Sequence, residues 1–271
     1  MVKKLFKHEI SALGRLMFPV LCAVLGVGVF ARILLFFESD TTAFRIAETS
    51  TFVVLCIAVF VSIFLTIIFG IVRYYKNLFS CEGYLSFTLP VTPAQHLWVK
   101  SLTAVLFETL AVIASVCAVA IALSGEPISE IWKAGTYLWG LMAEKVNTTH
   151  IILYCIEFVV LLFLVSFGNF FLYYTCITIG QTAKKNRVMW AVGVYFIYYI
   201  IMQIISTALM IFMSVFMYEI PFEEMITEMI EKHPYAFVHT ILLGCIVLYI
   251  IWSALLFIVC HTIIRKKLNL E

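Results

Sequence analysis

Three charged side chains interrupt the long apolar stretches of this 271-residue chain: Arg32, Glu108 and Glu157. A charge at the centre of a hydrocarbon layer costs about 2.5–3.5 kcal/mol on insertion scales, so each is by default a candidate for transport or pairing chemistry. Other reactive patterns are missing. The six His (8, 96, 150, 233, 239 and 261) contain no His-x-x-x-His and the eight Cys no Cys-x-x-Cys, so no metal centre is expected from spacing. None of the twelve Gly precedes a Lys, which excludes a phosphate-binding P-loop. Leu123-Ser124-Gly125-Glu126 has only a superficial likeness to an ATPase signature, and no Gly-x-Ser-x-Gly nucleophile elbow occurs. The chain is not expected to be an enzyme or to bind a cofactor itself.

The elements that must position these charges follow from composition. Hydrophobic residues make up 63% of the chain and charged residues 13%, against about 45–50% and 25% in soluble domains. With a mean hydropathy of +1.06, too little polar surface remains to solvate a globule. A span needs about 20 apolar residues, and six stretches supply it: 16–37, 51–72, 101–123, 151–179, 188–218 and 237–264. The runs are continuous, not alternating as in a transmembrane barrel. The expected fold is therefore all-α, a polytopic membrane protein of six transmembrane helices in a single transmembrane domain spanning 1–271.

Basic residues orient the bundle. With the N-terminus inside, thirteen Lys and Arg fall on inner segments (Lys3, Lys4, Lys7, Arg15, Arg73, Lys76, Lys100, Lys184, Lys185, Arg187, Arg265, Lys266 and Lys267). Four fall outside (Arg45, Lys133, Lys145 and Lys232). Both termini are expected to be cytoplasmic. No Cys lies in an outer segment, so an extracellular disulfide framework is excluded. The leader 1–15 carries Val2, Leu5, Phe6, Ile10 and Leu13 on one helical face, which predicts an interfacial helix with its bases toward anionic lipid.

Span five, 31 uncharged residues, predicts ~46 Å of helix that must tilt, break or rise above the membrane. Beyond it, 219–236 carries Phe222, Met225, Ile226, Met229 and Ile230 at helical spacing, the pattern of an outer amphipathic helix. The outer segment 125–147, with Ile128, Ile131 and Trp132, suggests a similar lid. Arg32 and Glu157 both fall about 9–10 Å below the outer boundary and are candidates to pair across spans one and four. Glu108 lies about 10 Å above the inner boundary, either protonated or lining an inward vestibule.

The inner connection 73–100 is the most informative stretch. Gly83 is positioned to stop a short helix leaving span two. Thr92-Pro93-Ala94-Gln95 reads as a capping box, placing Trp98 and Lys100 of the next helix at the inner interface. Between these marks Tyr84, Leu85, Phe87 and Leu89 form an apolar cluster, either a binding surface or a fold-back under the bundle.

This layout resembles the permease subunits of type-2 ABC exporters, most of all the small bacterial, Firmicute-like members. The resemblance rests on the leader, the six spans, the long fifth span with a short outer helical element after it, and the connection Glu82-Gly-Tyr-Leu-Ser-Phe-Thr-Leu-Pro-Val-Thr followed by Lys100. It implies that this connection is a coupling helix docked on a separate ATPase subunit, with Glu82, Tyr84, Leu85 and Phe87 as contacts and Gly83 setting the turn. It further implies a dimer with a second permease, homo- or heteromeric, ATP and Mg bound by the partner ATPase, a plasma-membrane location, and a peptide or amphipathic cargo. Two other classes are compatible with the spans alone: an ion-coupled secondary transporter, and a non-transporting membrane sensor or assembly subunit.

Overall fold

A computed structural model of the chain describes residues 2–37, 41–80, 83, 88, 90–124, 126–145, 147–219 and 234–267. Among the described residues there are seven long helices and no strand. They are α1 (Val2–Phe36), α2 (Thr42–Phe79), α3 (Pro93–Ala122), α4 (Glu126–Lys145), α5 (Thr148–Gly180), α6 (Arg187–Glu219) and α7 (Pro234–Lys267). All but α4 are long and apolar enough to cross a membrane. The protein is an all-α, multi-pass membrane protein.

Side-chain caps set several helix starts, because the first N–H groups of a helix have no partner within it. Thr92 and Gln95 form the expected reciprocal box at α3: Gln95 N–H donates to Thr92 Oγ1 at 3.3 Å, and Thr92 N–H to Gln95 Oε1 at 3.0 Å. Thr41 caps α2 and Asn147 caps α5, accepting from Phe44 N–H and Thr149 N–H. The turn into α6 passes through Asn186 at φ 52°, a left-handed conformation that Asn tolerates better than most residues.

The chain divides into two compact units, Met1–Met142 and Ala143–Glu271, where the sequence suggested one domain. In the first, α1, α2 and α3 pack on one another. Small residues let the backbones approach, the usual device where lipid supplies no hydrophobic drive between helices. A methyl added at Gly28 would come within 2.5 Å of Ala118 O. Beside this contact Val24, Ala31, Leu55, Ala118 and Ala122 form a buried cluster, and Ser62 and Ser115 hydroxyls share a buried hydrogen bond of 3.2 Å. In the second unit, α5 packs on α6 and α7. Thr175 Oγ1 donates to Leu256 O at 3.1 Å across the α5–α7 seam.

Several local expectations change. The leader is no separate interfacial helix. It runs unbroken into the first span as α1, and Glu9, Leu13 and Met17, spaced four apart, are buried on one face. Lys3, Lys4, Lys7 and Arg15 stay exposed on the other. Helix α2 ends at Phe79 with Ser80 in an extended conformation, ahead of Gly83, which is buried and donates its N–H to Ser80 O at 2.7 Å. The fifth span does not break, since α6 is one helix of 33 residues. In keeping with the lid suggested for 125–147, Glu126–Lys145 is a helix, α4, with Ile131 and Trp132 exposed. The amphipathic pattern at 220–233 lies outside the described residues.

Candidate functional site

Two carboxylate-centred clusters stand out, one in each unit. In the first unit, Glu9 of α1 sits between the last turns of α2 and the first turns of α3. Its Oε2 accepts from Arg73 Nε at 2.5 Å; its Oε1 accepts from Lys100 Nζ at 2.8 Å and Asn77 Nδ2 at 3.1 Å. Glu9 and Lys100 side chains are each 5% exposed and Arg73 19%, so the three charges face one another and not water. One carboxylate against two cations leaves a local charge of +1. Continuum and mutational work shows that such groups tolerate burial only when paired and hydrogen-bonded on all sides.

Lys100 turns into the bundle, and Arg73 is a half-buried partner beside it. A signal for Glu9 was present in its spacing: it lies four and eight residues before Leu13 and Met17, on the face of α1 that is buried. The cluster also brackets the inner connection. Arg73 and Asn77 lie in the last two turns of α2, Lys100 in the second turn of α3, and Glu9 ties both to α1. Of the predicted coupling residues, Gly83 is buried as described above. Glu82, Tyr84, Leu85 and Phe87 lie outside the described residues.

In the second unit, Glu157 of α5 finds its partner on α7. His239 Nδ1–H donates to Oε1 at 2.8 Å and to Oε2 at 3.0 Å. The other ring nitrogen of His239, Nε2, lies 3.2 Å from Nδ1 of His150. Aromatic rings box the pair. His150 stacks on Tyr235 with centroids 4.4 Å apart and planes 2° from parallel, and Tyr154 lies 4.4 Å from the His239 ring. Tyr154 O–H donates to Tyr235 O at 3.1 Å, holding α5 and α7 in register. His150, Tyr154 and Glu157 are spaced four and three apart, one face of a helix; Tyr235 and His239 are spaced four apart on the next. That spacing was the available signal, and a search for His-x-x-x-His passes over it.

Glu157 is held within its own unit by His239, and Arg32, its other candidate partner, is a half-buried residue of α1. Glu108 is half-buried on α3 next to Phe107, whose ring packs with Leu13 and Met17. Among the described residues no set of three or more His, Cys, Asp or Glu is arranged to hold a metal ion. Compared with protein-family models, curated proteins and solved structures, the chain gives no match.

Proposed function

We propose that this chain is the membrane-spanning permease subunit of an ATP-driven ABC exporter in a bacterial plasma membrane. A second permease subunit and separate ATPase subunits complete the assembly, and the ATPases bind ATP and Mg. The cargo class is a peptide or amphipathic compound, which suits six spans that carry three charged residues between them.

The observation that carries this reading is the Glu9 cluster beside the 80–92 connection. A permease without a nucleotide site must receive work through a contact, and work is transmitted only if the contact is rigidly joined to the spans. Glu9 ties the inner ends of α1, α2 and α3 through Arg73, Asn77 and Lys100, so a push on the connection moves three helices as one body. The capped start of α3 at Thr92 gives the connection a defined end.

The test is a mild-detergent affinity purification of the tagged chain from its own membranes, with mass spectrometry of what is retained. A stoichiometric ATPase subunit, lost on Tyr84→Ala with Phe87→Ala while the chain stays monodisperse, is the expected result. A chain that purifies stably and alone overturns the reading in favour of an ion-coupled transporter.

A further inference from the structure

We propose that Glu157, His239 and His150 form a proton-binding relay that takes up one proton at the outer end of the α5–α7 seam. The hydrogen-bond directions follow from the chemistry of the groups. An ionised carboxylate only accepts, so His239 Nδ1 carries the hydrogen directed at Glu157. In the neutral ring Nε2 of His239 is then an acceptor, and the hydrogen in the 3.2 Å contact belongs to His150 Nδ1. The result is a one-way chain, His150 to His239 to Glu157. Along α5 it covers seven residues, about 10 Å of helical rise, from the first turn of the helix to a level two turns deeper.

Such a chain accepts a proton without moving a heavy atom. A hydronium ion protonates His150 at Nε2 and leaves water. The Nδ1 hydrogen of His150 passes to Nε2 of His239. His150 is then neutral with its hydrogen on Nε2, and His239 is an imidazolium paired with Glu157. Passing the Nδ1 hydrogen on to Glu157 would give a neutral acid and a neutral imidazole, so the proton can rest on either group. A second proton is refused. It would point two N–H groups at each other across 3.2 Å and set two imidazoliums beside one carboxylate. The remaining titratable groups facing the relay are Tyr154 on α5 and Tyr235 on α7; α6, which packs on α5, contributes none among the described residues. Glu157 and His239 side chains are 16% and 18% exposed, enclosed enough to favour transfer along the chain over exchange with water.

This assignment is independent of the ATPase partner, and its test is a proton count on the full chain in lipid nanodiscs. On acidification, the wild type takes up one proton more than the His150→Gln/His239→Gln double variant. The single variant His150→Gln gives the same count as the wild type, because the pair holds one proton with or without His150. Two protons more in the wild type, with one lost in His150→Gln, would mean independent histidines and overturn the relay. Isotope-labelled imidazole nitrogens, followed by solid-state NMR in the unmutated chain, give the same decision with no risk of misfolding. The expected pattern is His239 becoming cationic while His150 stays neutral and moves its hydrogen from Nδ1 to Nε2. Two cationic rings, or two rings that both keep their hydrogen on Nδ1, would refute it; two neutral rings with both hydrogens moved to Nε2 place the proton on Glu157, as the relay allows.

Discussion

The two buried carboxylates, Glu9 and Glu157, have the same chemistry and opposite company. Glu9 is met by the guanidinium of Arg73 and the ammonium of Lys100; Glu157 is met by imidazoles, which can be neutral or cationic. The first arrangement is a fixed joint and the second an adjustable one. The partner, and not the acid, decides which a buried carboxylate becomes. Position agrees with this division. The Glu9 joint ties three helices beside the 80–92 connection, where a rigid link is useful. The Glu157 chain joins two helices, α5 and α7.

The comparison breaks most visibly at Glu9. Replacing it by Gln keeps size and some hydrogen bonding but leaves Arg73 and Lys100 facing each other without an anion. Breaking a buried pair this way costs about 3–5 kcal/mol, and the residual access of Arg73 places this case near 3. The measurement is the unfolding midpoint in a fixed detergent. A Glu9→Gln variant as stable as the parent would show that the cluster does not hold the helices together.

Glu157→Gln removes one charge from a pair that is itself only partly charged, so its cost is smaller, about 1.5–3 kcal/mol. The gap between the two variants narrows on acidification. Protonated His239 then lacks its counter-ion in Glu157→Gln, and the penalty grows as pH falls, whereas the Glu9→Gln penalty stays flat over the same range. Equal slopes would mean that the two sites differ only in name. Tyr154→Phe deletes the hydrogen bond to Tyr235 O and no charge, an expected loss of about 1 kcal/mol with no pH slope.

The fold was legible because its signals are long. Six apolar runs and the Thr92–Gln95 box need no tertiary information, and both stand as read. The clusters were not legible, because each is made by residues that only packing joins. Glu9 lies 64 and 91 residues from Arg73 and Lys100, and Glu157 lies 82 from His239. A leader rich in Lys has the same composition whether it lies on lipid or enters the bundle; the placing of Glu9 on the buried face separates the two cases. Likewise the depth of Glu157 along α5 says nothing of which helix faces it. His239, five residues into α7, shares that level and has α5 beside it.

The subtlest way to sharpen the comparison is to make the outer site resemble the inner one. His239→Lys exchanges a switchable partner for a permanent cation beside Glu157. An N–H donor to the Glu157 carboxylate remains in either case, so the unfolding midpoint changes by less than about 1 kcal/mol, the range of partly exposed pairs. The acid response, by contrast, disappears. His150 now faces an ammonium in place of an acceptor nitrogen, its protonation is opposed by a neighbouring positive charge, and the site no longer takes up the extra proton on acidification. A variant that keeps both its stability and its one-proton uptake would place the titrating group elsewhere. One that keeps its stability and loses the proton would show that a single imidazole divides the fixed joint from the adjustable one.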